Sequence, residues 1–397
     1  MIHSRIPEGA TSSWGDKLYV LGIESSCDET AAAVLFFEDG METGTPPRVL
    51  SNVVASQEDI HSRFGGVVPE LASRRHVELI EPVIQAGLEN ASQSLDDIDG
   101  VAVTRGPGLV VSLLVGLSTA KAISWTRDLP LVGVHHLSGH IHSLYLDNPS
   151  PDDGGEAAPG ASGGPPPFPH LAFVASGGHT DLYRVEGHDE VRHLGGTLDD
   201  AVGEAYDKIA ASMGLGYPGG AKVDRLHGEF RSEKGPGAEP LELPRPFLQD
   251  RLYEFSFSGL KTAVLNYLRN NDYYRSDPLL PPWARPQKLP QEEVLSVAAG
   301  FQEAAVEVMT EKVDLAARAE DLPAVSLSGG VAANSLLRER LKERSEASGW
   351  SLHLPARRYC TDNAAMIACA GGYALLRNGA DAYREFLEID ADPSWEL

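Results

Sequence analysis

The sequence predicts an α/β protein made of two similar lobes around a central cleft, and three observations carry that prediction. Two series of elements each open with three strands and then alternate helix and strand. A low-complexity stretch rich in Pro, Gly and Asp, residues 147–169, separates the two series. Glycine-rich turns follow several strands, and open α/β sheets collect their ligands beyond the carboxyl ends of strands. Internal identity between the halves is faint, so the duplication is read from element order alone.

In the first series, "KLYVLGIE", "TAAAVLFF" and "RVLSNVVAS" are short runs close to turn residues and read as strands. "VPELASRRHVELIEPVIQAGLEN" carries apolar residues at helical spacing. "GVAVTRGPG" is a buried strand ending in a Gly-Pro turn, "LVVSLLVGLSTAKAISWTR" a helix with small residues on one side, and "LPLVGVHH" another strand. The 147–169 segment cannot pack a core and reads as a solvated loop. The second series has strands "HLAFVASGG", "TDLYRV" and "VRHLGGT", then helices near 198–213, 258–269 and 292–320. Strand "AVSLSGG", helix 332–346, strand "SLHLP" and helix 363–376 close it, while 228–250 and 276–291 read as Pro-rich connectors.

The chain has 397 residues, 42% hydrophobic and 23% charged, the balance of an ordinary globular protein. No apolar run nears the roughly 20 residues that span a bilayer. The first twenty residues have neither the apolar core of a signal peptide nor the Arg-rich character of a transit peptide, so the expectation is a cytoplasmic protein. A net charge of −24, with only nine lysines, argues against an autonomous nucleic-acid binder, because phosphate contacts need clustered basic groups. It leaves room for a local basic patch or a helping subunit. Cys27, Cys360 and Cys369 are scattered, which argues against a disulfide framework or a zinc knuckle.

Four of the thirteen histidines fall within "HHLSGHIHS", residues 135–143. If 136–143 is helical, His136 and His140 share a face and both imidazoles can reach one ion, with His135 and His142 on another side. Taken alone, such a pair is ordinarily just two polar helix residues. A metal needs a third ligand, and "YCTDNAAMIA" offers Asp362 directly before a helix. A carboxylate there ordinarily caps the helix, and the alternative is coordination. Two imidazoles and a carboxylate with open positions suit Fe(II) or Zn(II) acting as a Lewis acid.

Three glycine turns follow strands: "VASGGHTDL", "YPGGAKVD" and "VSLSGGVAANSLL". Glycine lets backbone N–H groups approach phosphate oxygens, and a helix N-terminus behind the turn adds a positive dipole. One such turn is weak evidence, but three, with the acidic hairpin "GIESSCDET", form a nucleotide-site pattern that is neither P-loop nor Rossmann. In "LDDAVGEAYDKIAASMG", Asp200, Glu204 and Asp207 read ordinarily as a solvated acidic face. Asp207 could instead present its carboxylate to a ribose hydroxyl.

These residues, with "HSRFGGVVPELASRRH", "FSFSGLKTA" and "CTDNAAMIA", are collinear from about residue 18 to 380 and resemble the motifs of the tRNA N6-adenosine threonylcarbamoyltransferases, formerly called O-sialoglycoprotein endopeptidases. The N-terminal 17 residues and the segments 147–169 and 276–291 are longer than the family pattern. The resemblance implies the actin-like, sugar-kinase-like ATPase fold, with duplicated RNase-H-like lobes around a nucleotide cleft. It implies lobes at 17–134, with a helical insertion about 60–92 and completion by a helix about 363–380, and at 135–362, with 1–16 and 147–169 flexible. It implies transfer of the threonylcarbamoyl group from L-threonylcarbamoyl-adenylate to N6 of adenosine 37 of ANN-decoding tRNAs, yielding t6A and AMP.

Carried over by motif, His136, His140 and Asp362 are the implied metal ligands. Ala175, Ser176, Gly177, Gly178 and His179 form the phosphate-facing turn, and Asp207, Gly220, Asp224 and Asn334 contact the adenosine or ribose. Asp28 and Glu29 face the reacting centre as candidate proton acceptors. One divalent metal per subunit is implied, Fe(II) ahead of Zn(II). The implied partners are tRNA, a paralogous subunit of the actin-like fold and a small P-loop ATPase, with no membrane association. The "SGGHT" form resembles the bacterial and organellar branch, and bacterial is chosen. Arg63, Arg74, Arg75, His61 and His76 are expected to gather where tRNA or the paralogue docks.

Three rivals are weighed. A small-molecule kinase of this fold would need a base beside its acceptor and a Mg site, whereas paired histidines favour a softer ion. A metalloprotease would need the Glu of H-E-x-x-H, but Leu137, Ser138 and Gly139 occupy the intervening positions. An inactive scaffold would be expected to lose the three metal-ligand candidates, and all are present.

Overall fold

The computed structural model describes residues 17–38, 45–146, 164–235, 237–247, 251–273 and 289–397. The expected flexible segment 1–16, positions 147–163 of the one expected at 147–169, and positions 276–288 of the expected connector lie outside the described residues.

Lys17–Glu24 (β1), Glu29–Glu38 (β2) and Arg48–Ser56 (β3) pair antiparallel, with Val20 opposite Leu35 and Ala33 opposite Asn52. After Glu58–His61 (α1) and Pro69–Asn90 (α2), Gly100–Gly106 (β4) pairs parallel to β1. Val110–Arg127 (α3) crosses over to Leu131–His135 (β5), which runs parallel to β4 and leads straight into His136–His142 (α4). The sheet order is β3-β2-β1-β4-β5.

His170–Ala175 (β6), Thr180–Gly187 (β7) and Glu190–Gly196 (β8) repeat the antiparallel trio. Val202–Ser212 (α5), Gly220–Lys234 (α6), Ser258–Asn270 (α7) and Gln291–Ala319 (α8) follow. Ala324–Ser328 (β9), Ser335–Ser348 (α9) and Ser351–His353 (β10) complete a sheet of order β10-β9-β6-β7-β8, with β9 parallel to β6 and β10 parallel to β9. Last comes Ala364–Asn378 (α10). Numbered within its own half, each sheet has the order 3-2-1-4-5 with the same strand directions. The duplication that residue identity leaves faint is plain in the topology.

The chain divides into two compact units. Of the described residues, the first holds those at 17–38, 45–56, 69–146 and 363–396, and the second those at 57–68, 164–235, 237–247, 251–273 and 289–362. The first unit therefore runs on through α4, past the division expected at 134, because α4 packs on α10.

Alternation along β1 explains the layering of the first unit. Leu21 and Ile23 join Ile80, Val83 and Ile84 of α2 and Leu117 and Ala120 of α3 in one core. Gly22, pointing the other way, lies under Ala364 and Ala368 of α10. With helices on both faces, β1 and β2 read as almost unbroken apolar runs. In the second unit, Phe173, Phe255, Phe257 and Phe301 anchor a separate core between the sheet and α5–α8.

One expectation needs correction. The connector expected at 228–250 opens inside α6, which runs on to Lys234. This helix buries only Val223, Leu226, His227 and Phe230, a narrow stripe that its many charged residues hide in the sequence. Among the described residues no helix is long and apolar enough to cross a membrane.

Leu21→Ala, at a position with no exposed surface, is expected to destabilise the protein by about 2–5 kcal/mol. A lowered denaturant midpoint at unchanged slope checks it.

Candidate functional site

The histidine stretch folds as a strand running directly into a helix. His135 closes β5 and caps α4, its Nδ1 accepting from the Leu137 N–H at 3.2 Å. Its Nε2 lies 2.9 Å from the Trp395 carbonyl, which can only accept, so the proton sits on Nε2. Arg105 stacks on the Trp395 ring at 4.8 Å and donates to the Asp390 carbonyl, while Asp392 N–H returns a bond to Arg105. Residues 390–395 are thus fastened against the β4–α4 end of the sheet.

His136 and His140 lie one turn apart on α4, both buried, with ring centroids 4.8 Å apart and planes at 82°. Between them, Gly139 faces α10, and a Cβ there would come within 2.7 Å of Ile367 Cδ1 and 3.3 Å of Met366 Cγ. Glycine at this position lets the two helices touch. The start of α10 is capped by Asn363, whose Oδ1 accepts from Met366 N–H at 3.1 Å. The capping role that sequence reasoning favoured for Asp362 taken alone therefore belongs to its neighbour. Asp362, bonded directly to that cap, brings its carboxylate to the histidines. The ligand atoms of His136, His140 and Asp362 all lie within 4.8 Å of one another. Two imidazoles and a carboxylate at such spacing could hold one metal ion, and their mixed N/O chemistry fits a transition metal better than Mg or Ca.

The hairpin "GIESSCDET" places Asp28, buried, in the turn after β1, and Glu29 at the first position of β2 opposite Ser56. Sequence reasoning passed over the first acid of the same stretch. Glu24, the last residue of β1, is completely buried, and its Oε2 is 3.1 Å from His136 Nδ1. The signal was a carboxylate ending an otherwise apolar buried strand.

In the second unit, the turn after β6 is closed by Ser176 N–H donating to the His179 carbonyl, while Ser176 Oγ accepts from His179 N–H. Gly177 and Gly178 stand exposed at its tip, where a Cβ would meet nothing within 4 Å. Gly203 brings the first turn of α5 against the Ser176 carbonyl from behind. Val174 of β6 pairs with Ser328 of β9, and Gly329 at φ +88° rests on Ala175. Two of the three glycine turns therefore end neighbouring parallel strands. The third is tied in by Asp207, whose Oδ1 accepts from Gly219 N–H at 2.6 Å. Here Gly219 is the sterically constrained glycine, 2.5 Å at its would-be Cβ from the Tyr206 carbonyl, while Gly220 opens onto free space.

Asp224 and Asn334 meet through a residue that the motifs do not contain. Gln302, fully buried on α8, donates to Asp224 Oδ1 at 2.8 Å and accepts from Asn334 Nδ2 at 3.1 Å. Asn334 also caps α9 through Leu337 N–H and reaches the Tyr206 hydroxyl. Burial pushes the Tyr206 phenol up, so its hydroxyl keeps its proton. Two acids expected on a solvated face are instead paired: Lys208 binds both Asp200 and Glu204 at 2.7 Å, and Lys261 binds Asp200 at 2.7 Å. Among the expected docking residues, His61 and His76 are buried. His61 accepts from Val68 N–H, and His76 bonds Thr30 and the Cys27 carbonyl, so neither reaches a partner. Arg63 and Arg74 are exposed, and Arg75 pairs with Glu78.

Comparison with known proteins shows a family for the chain. The family model described as TsaD, tRNA N6-adenosine threonylcarbamoyltransferase, matches residues 48–369. The chain is 47% identical over 382 residues to the protein of that name from Symbiobacterium thermophilum, covering 95% of this chain and 96% of that one. Its likeness to the Bacillus subtilis protein of the same name is 45% over 381 residues, covering 96% of each. Among solved structures, HypF of T. kodakarensis matches with a TM-score of 0.54 at 14% identity, over 95% of this chain and 50% of that one, a likeness of fold.

Burial works to raise the Asp200 carboxyl, but Lys208 and Lys261 outweigh it and hold the group below the usual carboxylate range. A depressed folded value stabilises the protein above the unfolded value and loses that contribution as pH falls through the folded one. Asp200→Asn is therefore expected to lower thermal stability at neutral pH and to narrow its gap from the parent in strong acid. Melting curves across pH 2–7 would read this.

Proposed function

This chain belongs to the tRNA N6-adenosine threonylcarbamoyltransferase family, and we propose on that premise that it moves the threonylcarbamoyl group of L-threonylcarbamoyl-adenylate to N6 of adenosine 37 in ANN-decoding tRNAs. The products are t6A and AMP. The supporting observation is the meeting of His136, His140 and Asp362, three residues from two distant parts of the sequence. Their donor set suits one ion per subunit, Fe(II) first and Zn(II) second. Such an ion supplies charge neutralisation as a Lewis acid.

The reaction forms a bond from N6 to the carbamoyl carbon and breaks the bond from that carbon to the phosphate oxygen, and N6 gives up a proton. The mixed anhydride is already activated, so the chain needs no covalent nucleophile. Its work is to orient a weakly nucleophilic amine, accept a proton and stabilise charge on departing AMP. Orientation alone contributes on the order of several kcal/mol. The turn Ala175, Ser176, Gly177, Gly178 and His179 faces the phosphate, and the peptide N–H groups at its exposed tip, those of Gly177 and Gly178, take up the developing charge. Asp207, Gly220, Asp224 and Asn334 hold the adenosine and ribose. Asp28, Glu29 or a bound water receives the proton. Extruding the target base costs little in a loop already largely unpaired.

A charge of −24 favours tRNA docking shared with a paralogous subunit of the same fold and a small P-loop ATPase, in the cytoplasm. Exposed Arg63 and Arg74 are the proposed contacts for tRNA or that paralogue.

The test reconstitutes the chain with those partners, synthetic adenylate, tRNA and Fe(II). We expect t6A by nucleoside mass spectrometry with matching AMP. His140→Ala and Asp362→Ala are each expected to slow transfer about 100-fold or more, the effect of losing several kcal/mol of charge stabilisation, with unchanged far-UV circular dichroism. Full activity in both variants overturns the metal role. Transfer of the γ-phosphate of added ATP to a small-molecule hydroxyl acceptor by the chain alone, with no t6A in the reconstituted reaction, makes the chain a small-molecule kinase.

A further inference from the structure

We propose that Glu24 is a positioning residue for the metal centre, fixing the ring and tautomer of His136 and thereby setting metal affinity. The inference rests on the reading of His136 as a ligand, and all the groups it invokes lie in the first unit.

Glu24 is the last residue of β1 and has no exposed surface. An ionised carboxylate is tolerated in such a place only when donors surround it. Three are present. Ser26 N–H donates to Oε1, Thr104 Oγ1 donates to Oε2 at 2.6 Å, and His136 Nδ1 lies 3.1 Å from Oε2. Thr104 is itself fully buried on β4, the strand beside β1, so the carboxylate is held from two strand ends at once.

A carboxylate flanked by these donors can only accept, so the His136 proton belongs on Nδ1. Nε2 then carries the lone pair and is the nitrogen His136 can offer to an ion. The same hydrogen bond fixes the ring plane and raises the basicity of Nε2, as carboxylate–histidine–metal arrangements do. Ser26 Oγ, 3.3 Å from the same Nδ1, supplies a second polar contact on that side.

The experiment measures the metal affinity of the purified full chain by chelator competition with Zn(II), together with the melting temperature of the metal-free protein and the visible spectrum of the Co(II)-loaded protein. Glu24→Gln keeps the shape and removes the charge. It is expected to weaken Zn(II) binding about 10- to 100-fold and to shift the Co(II) bands, with little change in metal-free melting. Thr104→Val, which loosens Glu24 without touching the histidine, is expected to weaken binding in the same direction by a smaller factor, and it decides the matter should Glu24→Gln fail to fold. His136→Ala separates the two readings. If it binds Zn(II) like the parent, the ligand assignment fails. If it loses binding while folded Glu24→Gln and Thr104→Val bind like the parent, the assignment stands and the role of Glu24 is overturned.

Discussion

The close packing of α10 on α4 is the constraint on which the first unit depends. α4 is only seven residues long and could not hold two imidazoles in place by itself. It is gripped from one side by α10, whose residues Ala364–Gly372 are almost entirely buried. Gly139 permits the approach, and Asn363 caps α10 just where the two helices meet. The carboxylate of Asp362, directly before that cap, lies beside the histidines. The capping of α4 by His135, itself fixed by the Trp395 carbonyl, leaves the short helix little freedom to turn.

The second unit solves a different problem. On the proposed reading, three glycine turns stay open to a ligand while the elements behind them stay rigid. The structure separates the two tasks: exposed Gly177 and Gly178 and half-buried Gly220 have empty space where a side chain would stand, whereas Gly203, Gly219 and Gly329 are pressed against backbone. Buried polar side chains then tie the turns together. The network of Asp224, Gln302, Asn334 and Tyr206 links α6, α8, α9 and α5. Partly satisfied, such a network would be costly, and fully connected it specifies one arrangement.

Much of this was legible in the residues. Strand and helix order followed from periodicity, and the spacing of His136 and His140 announced a shared helical face. The element order carried the duplication even without residue identity. What was illegible depended on partners distant in sequence. Asp362 looked like a cap because a carboxylate before a helix usually is one, and only the geometry transfers that role to Asn363. Gln302 belongs to no motif, and its two partners lie 78 and 32 residues away. His61 and His76 resembled surface groups beside arginines, but each satisfies a buried backbone or hydroxyl partner. α6 was overlooked because its buried stripe is only four residues among many charges.

The attachment of residues 390–395 to Arg105 and His135 has a consequence for how the molecule is made. The first unit is assembled from residues before 147 and residues after 362, with most of the second unit encoded in between. A nascent chain emerging from the ribosome can complete the second sheet and its core while the first unit still lacks α10 and the Trp395 contact. Domains tend to fold as they emerge, so here the interior insert has the head start. The histidine pair gains its carboxylate and its backing only after the second sheet and its core have been made, so the candidate ion-binding centre takes shape later than the interior of the second unit.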